Sequence, residues 1–588
     1  MSFGPEYVCG LQAALNENLP WRVSRVEGGE SWVALRVDTE KSRETSPCPW
    51  FLLSWGSGAA GCCMADTASV DFLKKSARSR APLAEALKSR FTRGRILSAR
   101  QVNTDRVLEF EASRLVAAGF EVRYFLVLEA TEPVGNLVLL DEERKIEELA
   151  RHSPPDVNAY RTLLPGHIYV PPPAFKGLSL SSADELEFES LARFEGVGRP
   201  LARLIEGHWE ERPSREWLAA LKSLYAEGNS PDGVSSLCQC QRTAKGYLTR
   251  FPVVFREAEP LGEDALGAAR EGVLHPLLAA ARSRLLRELD ARTGRAAKAR
   301  ERRVDGLLKQ LKNNADAELF RRKGQLLLAN AAAIPPRAES VTLAEWGNEK
   351  SLEITLDPRL SPSRNAERYF RKYKKARCDP EKIQEEIASL KGAIKELREQ
   401  RDLLDSIGDP AKFEEAARDI ADWLASETEK GKGNGKGAKR ASSLRAASLR
   451  AASLKARKEE RLPPHLRFEI DGYTGFVGLA ARGNRYVTFK QATGDDLWLH
   501  AHEIPGAHVV VRGAKGREAL FAAEREDILF FAASLAAAHS SAKDANSVQV
   551  DYTERRYVRS VPGPAVALVT YANPGTVRAD PRLWKEIL

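Results

Sequence analysis

Cysteine is scarce in this chain and follows no metal or disulfide pattern. The 588 residues contain seven cysteines, an odd number, and none of them are spaced as CxxC. Paired CxxC spacings are typical of zinc ribbons, and an even, regular set is typical of disulfide-rich secreted domains. The sequence therefore argues against both classes of protein and favours a reducing compartment, the cytoplasm.

Long hydrophobic runs are also missing. No apolar segment approaches the ~20 residues of a membrane span, and the start, MSFGPEYVCGLQAAL, lacks the basic and apolar regions of a secretory signal. Hydrophobic residues still make up 43% of the chain, which is enough to bury cores. Several domains are expected, because single hydrophobic cores stop growing beyond ~250–300 residues.

Positive charge is present but unevenly placed. The net charge is +9, and residues 430–458 contain ten Lys or Arg and no acid, so the rest of the chain is nearly neutral. This segment repeats Arg-Ala-Ala-Ser-Leu after a Gly-rich lead-in, so we predict a basic flexible linker over 428–462. Concentrated positive charge favours a polyanionic partner, nucleic acid or ribosome, over a role in solubility alone.

The pattern of apolar residues divides the first 262 positions into two domains. Residues 1–176 are predicted to be mixed α/β, with a helical segment at 69–91 that breaks at Pro82. Strand composition occurs at residues 32–37, 107–112, 122–130 and 136–141. Residues 177–262 are predicted to be helical. There, Gly196-Val197-Gly198 between two amphipathic segments fits either a helix-hairpin-helix, whose backbone N–H groups approach a phosphate, or a plain helical turn.

Residues 263–427 are predicted to form two antiparallel coiled-coil arms with a small β insertion at 337–360. Apolar residues alternate in steps of four and three along the second arm, with Arg401 in one position of the seam. The predicted seam residues are Ile383, Ile387, Leu390, Ile394, Leu397 and Leu404, facing Leu285, Leu289, Val304, Leu308, Leu311, Ala315 and Leu319. A coiled coil by itself indicates only spacing or assembly.

Residues 463–588 are predicted to form a final α/β domain with a helix at 525–542 and strands that include RYVTFK (485–490). Within it, DDLWLHAHEIPGAHVVVRG (495–513) contains three of the nine histidines. His500 and His502 point to one side of a strand, but zinc would need further ligands, and nothing completes a catalytic triad. We expect the turn IPGAH to present His508, with Trp498 either stacking on RNA or packing in the core.

Several motifs, in order along nearly the whole chain, resemble those of the NFACT family. They are NTDRVLEF (103–110), NAYRTLLPGHIYVPPP (158–173), GQLLLANAAAIPP (324–336), SRNAERYFRKYKKAR (363–377) and the histidine segment with its downstream neighbours. The resemblance implies a multidomain α+β fold. Its parts would be a mixed α/β NFACT-N domain, a helix-hairpin-helix bundle, a long antiparallel coiled coil with a small β tip, and a C-terminal α/β NFACT-R domain.

The same resemblance implies ribosome-associated quality control. Family members bind large ribosomal subunits obstructed by peptidyl-tRNA and recruit tRNA, alanyl-tRNA in bacteria, so that untemplated residues extend the stalled nascent chain. The ribosome makes the peptide bond, so no enzymatic activity, cofactor or metal is expected of this chain. The partners implied are the large subunit, rRNA, tRNA and the peptidyl-tRNA-linked nascent chain, with no membrane.

Site residues follow from the matching motifs. The family's Asp-Arg motif, implicated in tRNA recruitment, falls on Asp105 and Arg106. RNA binding by the C-terminal domain falls on a second set, namely Asp496, Trp498, His500, Gly506 and His508. The chain departs from the family at Gly4-Pro5, where an Asp is usual, and at residues 87–95 and 478–486. We expect these departures to affect the tailing activity more than the fold.

Two rival functions remain. A mixed α/β block followed by a helix-hairpin-helix also suggests a formamidopyrimidine-type DNA glycosylase, but that chemistry needs an N-terminal proline nucleophile, and this chain starts Met-Ser-Phe. A fibronectin-binding adhesin is the second rival. Such an adhesin would need an export signal, and none is visible at the start of this sequence. Binding of extracellular matrix by the basic segment would be nonspecific.

Overall fold

The computed structural model describes residues 3–39, 47–116, 120–131, 133–158, 160–228, 238–262, 264–345, 351–377, 379–430, 462–513, 526–563 and 565–584. The predicted basic linker lies almost entirely outside these residues. The chain forms two compact units, Met1–Leu285 and Leu286–Leu588. Among the residues described, no helix is both long and apolar enough to cross a membrane.

The first unit is built on a nine-stranded antiparallel sheet. Its strands, in chain order, are β1 (Trp21–Gly28), β2 (Trp32–Thr39), β3 (Trp50–Ser54), β4 (Gly61–Ala65), β5 (Arg95–Gln101), β6 (Val107–Leu115), β7 (Glu121–Glu129), β8 (Asn136–Leu140) and β9 (Ile146–Leu149). They lie in the order β4-β3-β2-β1-β5-β6-β7-β8-β9. The four segments of strand composition are all strands, because each can bury apolar side chains against this sheet's core.

Helices cover the sheet and continue beyond it. They are α1 (Pro5–Asn18), α2 (Thr67–Ser76), α3 (Pro82–Phe91), α4 (Arg199–Gly207), α5 (Ser214–Gly228), α6 (Ala265–Ala268) and α7 (Leu274–Ala315), which runs on into the second unit. The break at Pro82 is present, and this proline stands in the first turn of α3, where its missing N–H costs nothing. The side chain of Asp66 caps α2 by accepting the Ser69 N–H at 2.8 Å.

The prediction that residues 177–262 are helical is wrong in three places. Residues 177–187 contain no helix, and the first arm of the glycine turn is a short 3₁₀ helix, Phe188–Arg193. Farther on, β10 (Gln239–Thr243), β11 (Leu248–Phe251) and β12 (Ala258–Pro260) form a three-stranded sheet in the order β11-β10-β12. The aromatic residues of this segment explain the difference, because Phe251 and Phe255 stack on Trp217 of α5 in a shared core.

The second unit begins with long helices and a small hairpin. The elements are α8 (Ala317–Ala329), β13 (Ser340–Ala344), β14 (Ser351–Thr355), α9 (Pro362–Ala376), α10 (Pro380–Ser406) and α11 (Pro410–Lys430). Ion pairs show that α7 and α10 run antiparallel. Arg303 pairs with Glu386 at 3.0 Å, Arg398 with Glu301 at 2.8 Å, and Arg401 with Asp290 at 3.3 Å.

One predicted seam residue is in the wrong place. Leu308 is 47% exposed, whereas its neighbour Leu307 is 1% exposed and packs with Val304, Ile383 and Ile387. Consecutive residues of a helix point about 100° apart, so a shift by one position moves a side chain off the contact face. The partner helix, and not the periodicity of α7, selects the buried stripe.

The second unit ends in an α/β region. It contains β15 (His465–Ile470), β16 (Tyr473–Gly478), α12 (Ala481–Tyr486), β17 (Leu497–Ala501), β18 (Val509–Arg512), α13 (Glu526–Ala538), β19 (Val548–Glu554), β20 (Val558–Ser560), β21 (Val569–Tyr571) and β22 (Gly575–Ala579). Six strands form one sheet in the order β15-β16-β18-β17-β19-β22. The apolar face of α13 packs on this sheet through Phe531 and Leu535. The multidomain, mixed α+β class is therefore confirmed.

The segment RYVTFK is not a strand. Tyr486 ends α12, and residues Val487–Gln491 continue as a helical turn. Val487 and Thr488 are β-branched, which favours a strand by propensity. Both are fully buried in the helical turn, so packing overrides the propensity.

Candidate nucleic-acid interface

A tight connection between β5 and β6 presents Asp105 and Arg106. The Asp105 N–H donates to the Val102 carbonyl at 3.1 Å. Asn103 and Thr104 both adopt positive φ, 56° and 49°. Left-handed backbone is tolerated by Asn but is unusual for a β-branched residue, and such strain is held only where surrounding contacts enforce it.

Those contacts come from three segments of the first unit. The Gln101 side-chain amide donates to the carbonyls of Asp105 at 2.8 Å and Pro5 at 2.9 Å. The Asn103 amide donates to the Pro172 carbonyl at 2.9 Å. The connection is thereby tied both to the start of α1 and to the proline-rich segment.

Asp105 and Arg106 are only partly exposed, with side chains 35% and 30% accessible. The Asp105 carboxylate accepts the Arg106 backbone N–H at 2.7 Å, and the two side chains approach to 3.9 Å. An ion pair that is one-third exposed and 3.9 Å apart contributes little to stability. Because the Arg106 guanidinium is only loosely paired with Asp105, its planar set of N–H donors can contact a ligand.

The Gly196-Val197-Gly198 turn precedes α4. Gly196 has φ of +76°, and a Cβ there would lie 2.4 Å from the ring of Tyr225, whose hydroxyl donates to the Gly196 carbonyl at 2.6 Å. Val197 is buried, and Gly198 precedes α4 without a side-chain cap. The turn thus needs glycine at residue 196, and it leaves the first N–H groups of α4 without a capping side chain.

The structure brings these two predicted sites together. Asp105, Arg106 and the turn at 196–198 line one cleft of about 520 Å³, together with Gly4 and Arg199. We refer to it as the N-terminal cleft. The N-termini of both α1 and α4 lie at this cleft, and neither has a side-chain cap. In α1, however, the first residue is Pro5, which has no N–H, and the Tyr7 N–H donates to the Gly4 carbonyl at 3.1 Å. The N-terminus of α4 carries partial positive charge and lies beside the side chains of Arg106 and Arg199, an arrangement suited to phosphate.

Sequence reasoning missed a buried acid beside this cleft. Glu6 is fully buried and accepts a hydrogen bond from the Tyr247 hydroxyl. Burial raises the pKa of the Glu6 carboxyl to about 7, against the opposing effects of hydrogen bonds from Tyr247, its own backbone N–H and Thr249, and of the more weakly acting charge of Arg106. The only sequence signal was an acid in the first turn of a helix, which is common and usually exposed.

In the C-terminal region, Asp496 serves its own loop. Its carboxylate accepts the backbone N–H groups of Thr493 at 2.6 Å and Gly513 at 3.3 Å, and its carbonyl accepts that of Arg555 at 2.9 Å. The side chain is 5% exposed. These hydrogen bonds fix the loop that precedes β17.

The prediction that the IPGAH turn presents His508 is wrong, because His508 is 4% exposed. For Trp498, the core alternative is the correct one, because its indole is fully buried. Thr488 joins the two residues, accepting the indole N–H at 3.2 Å and lying 2.8 Å from His508 Nδ1. Asn484 completes the group by accepting the His508 N–H at 3.0 Å and donating to the Gly506 carbonyl at 3.1 Å. We call these residues and His500 the histidine cluster.

His500 stacks on Trp498 and meets His508 edge-on, with ring centroids 5.9 and 5.3 Å apart. It lines a cavity of about 200 Å³ with Gly506, His508 and, from α10, Glu396 and Glu399. Burial lowers the pKa of His500 to about 4 and that of His508 well below its usual range. Both rings are therefore neutral at pH 7.

The pKa of His502 is shifted in the opposite direction. Its Nδ1 lies 2.7 Å from an Asp551 carboxylate oxygen. That hydrogen bond and the negative charge of Asp551 raise the pKa of His502. Asp551 also accepts the hydroxyls of Tyr571 at 2.6 Å and Thr576 at 3.0 Å. Among the described residues, no group of three or more His, Cys, Asp or Glu is arranged to hold a metal ion.

Comparison with known proteins gives a consistent picture. The family model described as NFACT N-terminal and middle domains matches residues 30–207 and 276–436. The chain is 28% identical over 499 residues to the Rqc2 homolog RqcH of Streptococcus suis, covering 82% of each. It is also 28% identical over 505 residues to the Rqc2 homolog RqcH of Bacillus subtilis, again covering 82% of each.

Solved structures include the C-terminal part of the fibronectin/fibrinogen-binding protein from Streptococcus suis. It matches with a TM-score of 0.32 and 24% identity, covering 52% of this chain and 97% of that one. The family model, in contrast, accounts for more than half of the residues. With the motifs quoted above in their expected order, this chain belongs to the NFACT family, as a divergent member.

Proposed function

We propose that this protein is a ribosome-associated quality control factor of the cytoplasm. It binds large ribosomal subunits obstructed by peptidyl-tRNA and holds a further tRNA, alanyl-tRNA, in the N-terminal cleft. The stalled nascent chain is then extended at its C-terminus without a template. The ribosome forms the peptide bond, and this protein positions RNA without covalent chemistry of its own.

The observation that carries the proposal is the composition of the N-terminal cleft. Arg106 and Arg199 line it beside the uncapped N-terminus of α4. Backbone N–H groups and arginine are the usual contacts to phosphate oxygens. Asp105, lining the same cleft, adds an acceptor for base amino groups.

The shape of the cleft favours a looped, single-stranded part of tRNA. A duplex presents phosphates on a broad surface, whereas unstacked nucleotides of a loop can enter a concave pocket and be read on their edges. A volume of about 520 Å³ is in the range of small-molecule sites and suits such an element. The strained connection that carries Arg106 would place its guanidinium in one orientation toward that loop.

The C-terminal region, residues 463–588, is proposed to be the NFACT-R domain and to contact rRNA. Trp498, His508 and Asp496 are buried, so their part in this proposal is to shape the surface rather than to touch RNA. His500 and Gly506 line the cavity beside α10. The basic linker at 428–462 would add sequence-independent attraction to the rRNA backbone.

The test is to purify the tagged full-length protein from cells with stalled ribosomes and to sequence its bound RNA. We expect large-subunit rRNA together with one dominant tRNA, and C-terminal extensions on stalled reporter chains. In Asp105→Ala/Arg106→Ala, the tRNA and the extensions should disappear while rRNA remains.

The matched control is Arg212→Ala/Glu216→Ala. This pair is another exposed ion pair of the same unit, 3.5 Å apart and outside the cleft lining, and its loss should change neither the bound rRNA nor the bound tRNA. Bound tRNA without extensions would leave an RNA-binding NFACT protein that does not support tailing. Undiminished tRNA in the Asp105/Arg106 variant would refute the assignment of the cleft.

A further inference from the structure

An exposed phenylalanine stands on the wall of the N-terminal cleft. Phe175 lines the cleft together with Arg106 and Arg199, and it is 52% exposed to solvent. A single exposed apolar side chain is common on protein surfaces. Its significance here therefore depends on where the ring lies and on how firmly it is held.

Gly177 leaves the space that the ring of Phe175 occupies. A Cβ built on Gly177 would lie 2.0 Å from Phe175 Cε1 and 2.2 Å from the Arg193 carbonyl oxygen. Atoms cannot approach so closely, so the edge of the ring rests directly against the backbone at residue 177. The ring is thereby supported on one side while about half of the residue stays open to the solvent.

The segment that carries Phe175 is tied down on both sides of it. Three residues earlier, the Pro172 carbonyl accepts the Asn103 side-chain amide at 2.9 Å. Three residues later, the Leu178 N–H donates to the Arg193 carbonyl at 2.7 Å. The first bond joins the segment to the β5–β6 connection, and the second joins it to the chain that leads into the glycine turn before α4. The position of the ring is therefore set by both walls of the cleft.

The cleft thus places an aromatic ring among groups that suit the other parts of a nucleotide. The side chains of Arg106 and Arg199 and the N-terminus of α4 suit a phosphate, and Asp105 suits the amino groups on the edge of a base. The remaining part of a nucleotide is the flat face of its base. Unstacked bases of RNA loops pack this face on aromatic side chains.

We propose that Phe175 stacks on an unpaired nucleobase of the bound RNA. This inference rests on the proposed function of the cleft and goes beyond it by adding a binding residue two positions past the nearest matching motif. Every base has a π-face, so stacking tolerates any sequence. Phe175 therefore contributes affinity for an unpaired nucleotide, and the choice among bases falls to groups such as Asp105 that contact base edges.

Substitutions at residue 175 separate stacking from simple apolar contact. Phe175→Ala should raise Kd for a fluorescein-labelled alanine tRNA transcript about tenfold, the effect of losing one base–aromatic stack. Phe175→Leu retains an apolar side chain without a π-face and should lose most of the same affinity, whereas Phe175→Trp should bind at least as tightly as the wild type. Wild-type affinity in the Leu variant would show that stacking is not involved and would overturn the proposal.

The matched control is Phe188→Ala. Phe188 is another half-exposed phenylalanine of the same unit, 47% exposed and outside the cleft lining. Its replacement should leave Kd within about twofold of the wild-type value. Circular dichroism should show both alanine variants folded, because each loses a side chain that is largely open to solvent. An equal loss of affinity in both variants would indicate a general effect on the unit and would refute the role of Phe175.

A short single-stranded RNA keeps this inference separate from the proposed tRNA function. Fluorescein-labelled hexauridylate should bind the full-length wild type more weakly than tRNA does, and Phe175→Ala, but not Phe188→Ala, should reduce that binding. If the wild type binds hexauridylate through Phe175 but binds no tRNA, the proposed function fails while stacking stands. If the wild type binds tRNA and Phe175→Ala binds it equally well, the inference fails while the function stands. Binding of neither RNA would remove both.

Discussion

The N-terminal cleft and the histidine cluster both depend on polar groups but use them in opposite ways. In the cleft, the side chains of Arg106 and Arg199 and the N-terminus of α4 face open space. In the histidine cluster, Trp498, Thr488, His508 and Asn484 satisfy one another. Donors aimed at open space are suited to a ligand, whereas a closed network stabilises a unique core. A conspicuous motif such as the histidine segment can therefore be structural.

The largest expected effect is in the cluster. Trp498→Ala removes a fully buried indole, and should lower the free energy of unfolding by about 3–5 kcal/mol. Chemical denaturation followed by circular dichroism measures this. The affinity for tRNA should remain within twofold at temperatures where the variant is folded, and a large loss would contradict the contrast between the two regions.

Asn484→Ala should destabilise less, by about 2–3 kcal/mol, because it leaves the buried His508 N–H and the Gly506 carbonyl without their partner. Asn484→Asp is the informative companion, since at pH 7 its carboxylate retains an acceptor for the His508 N–H but sets a buried negative charge against the Gly506 carbonyl, which costs more than leaving neutral groups unpaired. Denaturation midpoints should fall in the order wild type, Asn484→Ala, Asn484→Asp. Equal stability of all three would show that water satisfies these groups.

Gly4→Ala tests the packing of the cleft wall. The new methyl group collides with the Glu6 carboxyl and the Tyr247 hydroxyl, and should cost about 1–3 kcal/mol of stability as overpacking. In a Glu6→Ala/Tyr247→Phe background the colliding atoms are gone, so the same substitution should cost almost nothing. An equal cost in both backgrounds would mean that the backbone at residue 4, and not the carboxyl, is responsible.

The smallest effect at neutral pH concerns His500 on β17 and His502 in the turn that follows this strand. Burial lowers the pKa of His500 from 6.5 to about 4, so between those values the unfolded chain binds more protons than the folded one. Stability is therefore lost as pH falls through this window. His502, whose pKa is raised by Asp551, acts in reverse. Its contribution is present below its unfolded pKa and is lost as pH rises through the folded value.

Denaturation curves between pH 4 and pH 8 distinguish the two. His500→Gln should flatten the loss of stability on the acid side, and His502→Gln should steepen it. The same direction of change in both variants would show that burial and ion pairing do not separate these residues.

Much of the fold was predictable because its periodicities are strong. The runs of apolar residues in β6, β7 and β8 and the proline at the start of α3 act over a few neighbouring residues, so local sequence is sufficient. The strands at 239–260 were missed because Phe251 and Phe255 take their place only when Trp217 packs on them. The choice of Leu307 over Leu308 likewise depends on α10.

The candidate site was likewise predictable only where local motifs marked it. Asp105, Arg106 and the 196–198 turn were predicted from separate motifs, and nothing in the sequence placed them in one cleft. Glu6 gave no signal, since an acid in the first turn of a helix is usually exposed, and only the tertiary structure buries this one against Tyr247. For His508 and Trp498 the motif was visible, but whether each side chain faced solvent was not.

By itself, the sequence determined the family, the multidomain α+β class and most element types, because these depend on motifs and on periodicities of two or about 3.6 residues. Only the tertiary structure decided which polar groups satisfy one another and which remain directed at open space. That choice depends on residues such as Gln101 and Pro5, 96 positions apart in the chain yet joined by a hydrogen bond. Burial and charge act through space, so such pairs have no periodicity to reveal them.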